Sequence, residues 1–164
     1  MTEILKEKLS AADLVKYGYG QVEPNHLSAQ RTAQIYAQLP MAMEKLEQGQ
    51  FAKYDYANKE VNFTGAGEWM LVYSEVKTYG SRETEADFVN KKDTVYPRLF
   101  KTNVGDIFTT NTVKATKEAL GAEDVKLAVG ADGYLAVSEN GDWQVVKVYT
   151  LADGQPAVKV MKIK

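Results

Sequence analysis

At 164 residues the chain suits one compact domain, or a domain with an arm, and 45% apolar against 26% charged residues is an ordinary globular balance. Such a chain can build a core without metals or disulfides. A formal net charge of -2 argues against a surface given over as a whole to a polyanion, and the absence of cysteine excludes disulfide frameworks, thiolate zinc sites and cysteine nucleophiles.

The opening residues carry acids and no uninterrupted apolar run, so they do not read as a signal peptide. No window approaches the roughly 18 to 20 apolar residues that cross a bilayer. The chain therefore reads as soluble, without membrane contact, and folded in a reducing cytosol.

Residues 2 to 17 have the spacing of a short amphipathic helix, with Leu5, Leu9, Ala12 and Val15 recurring at three- and four-residue steps. Ser10 is an alternative cap for a helix that restarts there. Gly18 and Gly20 stop it, since each glycine costs a helix about 1 kcal/mol. Residues 21 to 40 are poor in large apolar side chains, and Gln30, Gln34 and Gln38 would share one helical face. A helix and an extended arm fit this stretch equally well, as do its own domain and a neighbouring subunit as the surface it packs on.

From Met43 the pattern turns to strands. Phe51 to Tyr56 and Val61 to Phe63 flank a turn at 57–60. In the run from Trp69 to Lys77, Trp69, Leu71 and Tyr73 fall on one face and Met70 and Val72 on the other. Both faces are apolar, which predicts a central, well-covered strand. Residues 80 to 95 read as a polar loop or short helical excursion, Ile107 to Val113 as a strand, and Ala115 to Leu120 as one or two helical turns ended by Gly121. Val125 to Val129 and Tyr134 to Ser138 flank a Gly-Ala-Asp-Gly hairpin signal. Trp143 to Thr150 and Ala157 to Ile163 follow across turn-rich links, and the four strands predict an antiparallel meander.

The expected fold is mainly β with short helices. It is an antiparallel barrel or sandwich, an OB-like barrel being one option, with an N-terminal helix and arm over 1–42 and a β-rich domain over 43–164.

Few residues suggest chemistry. His26 is the only histidine, and with no nucleophile beside it a loop or interface role is the simpler reading than general base. The glycine pairs at 18/20 and 65/67 do not complete a phosphate-binding pattern, and turn chemistry explains both. Glu83, Glu85 and Asp87 sit among Arg82, Lys91 and Lys92, as in a solvated loop. Two groups, Phe51 with Lys53, Tyr54 and Tyr56, and Trp143 with Lys147 and Tyr149, interleave aromatic and basic side chains as single-stranded nucleic-acid platforms do. Intervening acids and ordinary core packing explain them more simply, so nucleic acid is not expected as a partner. No catalytic residue, metal or cofactor is expected, and the chain is read as not an enzyme.

Several stretches resemble bacteriophage and prophage virion proteins. They are GQVEPNHLSAQRT at 20–32 with IYAQLP at 35–40, LEQGQFAKYDY at 46–56 with GEWMLVY at 67–73, YPRLFKTNVGDIFTTN at 96–111 and WQVVKVY at 143–149. The resemblance spans roughly residues 20 to 163. It implies a minor capsid, decoration or cement role in the virion, with synthesis in the host bacterial cytoplasm. The implied partners are the major capsid protein and further copies of the chain as a homo-oligomer. Tail or neck components are the neighbouring possibility, and a small β-barrel that binds nucleic acid or carbohydrate is the alternative from another class. For such a role Tyr17, Tyr19, His26, Leu27, Arg31, Ile35 and Tyr36 are the candidate partner-interface residues, since Tyr and Arg are enriched at interface hot spots.

Overall fold

The computed structural model describes residues 19–28, 39–73 and 89–164. Among these described residues thirteen short strands and one helical turn follow in chain order: β1 (Val22–His26), β2 (Lys45–Leu46), β3 (Phe51–Asp55), β4 (Glu60–Asn62), β5 (Met70–Val72), β6 (Asn90–Lys91), β7 (Leu99–Phe100), β8 (Ile107–Thr110), β9 (Val113–Lys114), α1 (Lys117–Leu120), β10 (Lys126–Val129), β11 (Leu135–Val137), β12 (Trp143–Thr150) and β13 (Pro156–Lys162). They form a seven-stranded sheet in the order β1-β8-β13-β12-β10-β11-β9 and a four-stranded sheet in the order β4-β3-β5-β7, with a two-residue ladder between β2 and β6. The larger sheet is antiparallel except where β9 runs parallel to β11. Its edges, β1 and β9, stay apart, so the mainly β fold is an open sandwich and no barrel closes.

Three layers follow from where the apolar side chains point. The inner face of the large sheet supplies Phe108, Leu127, Leu135, Trp143, Val158 and Val160 to the main core. The four-stranded sheet meets them with Phe51, Leu71 and Phe100. Its opposite face gives Ala52, Tyr54, Val61, Val72 and Leu99 to a second core, closed by Met41 and by Leu46 of β2. A sheet covered on both faces needs apolar residues at successive positions. That accounts for β5, where Trp69, Leu71 and Tyr73 join one core and Met70 and Val72 the other, as the alternation predicts. Its partners β3 and β7 on either side make it a central strand.

Three rings hold the two sheets together. Phe51 lies 5.5 Å from Trp143 and 6.3 Å from Phe108, and Phe108 meets Trp143 edge-on at 5.1 Å. Such tilted and edge-to-face contacts add to the stabilisation from burial itself. Alongside them the Phe51 N–H donates to the Gly133 carbonyl at 2.7 Å, so the β10–β11 turn is tied to β3.

The first hairpin of the C-terminal third forms where the turn signal places it, but the meander does not continue. After β11 the chain crosses back and β12 pairs with β10, while β11 takes β9 on its far side. Residues 139–142 make this crossing close against β10: a Cβ on Gly141 would stand 2.2 Å from the Leu127 carbonyl oxygen. Glycine is the residue that permits the pass. The helical turn α1 is capped by Thr116, whose Oγ1 accepts from the Ala119 N–H at 3.1 Å, and Gly121 follows it as expected. Within the stretch read as a polar loop, Asn90 and Lys91 form β6 and pair with β2.

Part of the stretch read as arm belongs to the body. Val22–His26 is the edge strand beside β8, and Val22 and Leu27 enter the main core. Pro24, which has no N–H to give a ladder, is tolerated because β1 is an edge. The helix expected over 2–17 and the whole stretch from 29 to 38 lie outside the described residues, as do 74–88. Replacing Phe108 by alanine is expected to lower the unfolding free energy by about 3–5 kcal/mol. Tyr56→Ala, at a side chain 67% exposed, should shift it by less than about 0.5 kcal/mol. Urea denaturation followed by tryptophan fluorescence measures both.

Candidate functional site

The expected interface residues do not form one patch among the described residues. Tyr17, Arg31, Ile35 and Tyr36 lie outside them. Leu27 is 3% exposed and packs in the main core, so its apolar surface is used within the chain and is not presented to a partner. Tyr19 is half-buried, and its carbonyl accepts from the Asn111 side-chain amide at 3.3 Å. His26, at the end of β1, is exposed.

A buried polar seam fixes the chain at 19–28. Gln21 donates its N–H to Asn111 Oδ1 at 2.6 Å, and Thr110 Oγ1 donates to the Gln21 carbonyl at 2.7 Å. At the other end, Asp106 accepts from the N–H and hydroxyl of Ser28 and from the N–H of Asn103. The seam continues through Thr112 Oγ1, which donates to the Gln48 carbonyl at 2.7 Å. Gly49 passes here with φ +88°, and a Cβ on it would meet Thr110 Oγ1 at 2.4 Å. Two independent reasons therefore require glycine.

Beyond Gly49 the seam reaches Glu47, buried beside Lys45 at 3.2 Å and accepting from the Tyr134 hydroxyl at 2.9 Å. Burial, and then the hydrogen bond and charge of Glu47, push the Tyr134 hydroxyl well above the ordinary tyrosine range. The phenol thus stays a donor and is no candidate base. Burial works against ionisation of Asp132 and Asp153, but hydrogen bonds outweigh it and hold both below the usual carboxylate value. Lys114 and the Tyr134 N–H serve Asp132; Gln21 and Gln155 serve Asp153. These acids are engaged in holding turns, and no three of His, Asp or Glu gather to hold a metal ion among the described residues.

Two surface features face outward. The first is a groove of about 440 Å³ between the β3–β4 turn and residues 66–70, lined by Tyr54, Asp55, Tyr56, Gly67, Glu68 and Met70. Tyr56 stands at its lip, its ring 5.8 Å from that of Tyr54. Asp55 is held below the usual carboxylate range by hydrogen bonds from Asn62 and Asn58, and Glu68 pairs with Lys101 at 3.3 Å.

The second feature is on the outer face of β12 and β13. A register shift between Val145 and Lys147 marks a bulge at Val146. Before it, Trp143 and Val145 pack on the core; after it, Lys147 and Tyr149 lie on the opposite face. Lys147 stands directly across from Lys159, and the two ammonium groups lie 5.8 and 5.0 Å from the centre of the Tyr149 ring. Like charges directly opposite weaken a strand pair. Attraction to the ring offsets some of that cost, and no carboxylate of the described residues is within salt-bridge reach of either lysine.

Of the two aromatic–lysine groups visible in the sequence, Phe51, Tyr54 and Trp143 are core residues, which removes the stacking platforms. Lys159 was not among them. Its only signal is its pairing with Lys147, which depends on the bulge. Among the described residues no helix is long and apolar enough to cross a membrane. No family model, curated protein or solved structure matches the chain.

Tyr134→Phe removes the donor to a buried carboxylate and should cost about 1–3 kcal/mol of stability, read by urea denaturation. Because the folded Tyr134 value lies above the unfolded one, stability should fall as pH rises above about 10. The lowered Asp132 and Asp153 act in the other direction, and stability should fall as pH drops below about 4. Thermal unfolding against pH would show both limbs, and Tyr134→Phe should lessen the alkaline one.

Proposed function

We propose that the chain is a non-enzymatic structural component of a bacteriophage particle, an auxiliary capsid protein that binds the assembled shell from outside its lattice and stabilises it. Two lines support this. The stretches between residues 20 and 163 resemble virion proteins, and the body presents on β12 and β13 a strip of two lysines and a tyrosine, the lysines having no ion pair among the described residues. The strip carries the structural side of the reading. A pair of like charges held side by side opposes strand pairing in the isolated chain and is relieved by an oppositely charged surface.

Binding to the assembled state alone would stabilise it by mass action, and many copies on one particle would add weak contacts together. Tyr17, Arg31, Ile35 and Tyr36 belong to the proposal through their residue types; His26 belongs to it as an exposed side chain. Leu27 does not. The shell's major subunit is the partner proposed, with a tail or neck position as the alternative on the same particle.

Co-sedimentation of the purified chain with particles of its source phage lacking it tests the reading. Saturable binding at a fixed ratio to the major subunit is the expected result. A folded protein that stays in the supernatant at all ratios would overturn it.

The groove beside Tyr56 favours one second reading, a carbohydrate ligand, since an exposed aromatic ring suits the apolar face of a sugar. Calorimetric titration with soluble host-surface oligosaccharides would then show binding that Tyr56→Ala abolishes. Heats that are indistinguishable from dilution would remove this reading.

A further inference from the structure

We infer that the outer face of the β12–β13 hairpin, centred on Lys147, Tyr149 and Lys159, docks an acidic segment of polypeptide. The inference rests on the shell-binding reading for the source of that segment and adds the chemistry by which it is recognised. Lys147 and Lys159 face each other across the two strands, and neither has an ion-pair partner among the described residues. Some other lysines of the body are matched, Lys45 with Glu47, Lys92 with Glu44, Lys101 with Glu68, Lys114 with Asp132 and Lys126 with Asp124, while Lys59, Lys91, Lys117 and Lys164 have no ion pair among the described residues. A carboxylate placed between Lys147 and Lys159 would satisfy both ammonium groups and remove their mutual repulsion.

Three observations favour polypeptide over nucleic acid. The Tyr149 ring is already engaged by the two ammonium groups, a contact that competes with the stacking of a base. The row of side chains that begins with Lys147 and Lys159 continues through Thr109, which is fully buried, to Glu23, so the positive strip is two residues wide and short for a phosphate backbone charged at every nucleotide. Beside the lysine pair, the bulged Val146 is 51% exposed, an aliphatic contact suited to protein side chains. An acidic segment lying along the hairpin meets both lysines and avoids Glu23.

The test is amide NMR of the full chain titrated with a poly-glutamate peptide and, separately, with an oligothymidylate of equal charge. The expected result is a set of shifts centred on Lys147, Tyr149 and Lys159 with the peptide, screened by salt. The affinity should fall by about tenfold or more in the double variant Lys147→Ala/Lys159→Ala, as for loss of a close charge contact. Lys126→Ala, at a lysine already paired with Asp124, should leave it unchanged. Shifts spread over the lysines at large, an unchanged affinity in the double variant, or tighter oligothymidylate binding at the same residues would each overturn the inference.

Co-sedimentation of the double variant with particles separates this inference from the reading beneath it. Binding equal to that of the unmodified chain would remove this face as the shell contact and leave the docking reading standing. Should the unmodified chain bind the peptide at this face but not the particle, the recognition chemistry is supported and the shell is excluded as its source.

Discussion

The contact of Phe51 with Phe108 and Trp143 is the one that every layer of this structure depends on. Phe51 belongs to the four-stranded sheet, and the other two rings belong to strands of the seven-stranded sheet. Their meeting sets the spacing at which Leu71 and Phe100 reach Leu127, Leu135 and Val160. The second core inherits its position from the first, because β3, β5 and β7 of the small sheet alternate between the two. The polar seam does the corresponding work at the margin. There Thr110, Asn111 and Thr112 satisfy backbone groups of residues 19–21 and 48 that burial would otherwise leave without partners.

One residue in β12 decides which side of the body carries charge. A regular strand would put Trp143, Val145, Lys147 and Tyr149 on a single face. The bulge at Val146 breaks that row, so the apolar half is buried while the lysine and tyrosine turn outward to meet Lys159. Bulges and lysines are also what protects exposed strands from pairing edge to edge. The same feature therefore discourages aggregation along β12 and creates a face suited to a partner bearing the opposite charge.

The β content, the two-faced character of β5 and the hairpin at 130–133 were legible in the sequence, because residue alternation and glycine turns act locally. The return of β12 to β10 was not. It depends on Gly141 clearing the Leu127 backbone, a contact between segments that no local pattern encodes. The place of Val22–His26 in the large sheet was obscured for a related reason: an edge strand needs few large apolar residues, and Pro24 argues against any strand that is not an edge. Of the candidate interface residues, Leu27 illustrates the limit of residue-type reasoning, since one leucine in a polar stretch is as well suited to a core as to a partner. Lys147 and Tyr149 were visible as a pair, but their separation from Trp143 required the bulge.

The most direct measurement of whether this body serves as a shell-docking module is carbodiimide coupling of intact particles, with cross-linked peptides identified by mass spectrometry. The expected result is coupling from Lys147 and Lys159 to carboxylates of the major shell subunit, in excess of any from Lys101 or Lys126, which already hold acids of their own. Particles that contain the protein yet couple it only through other lysines, or that lack it altogether, would contradict that view.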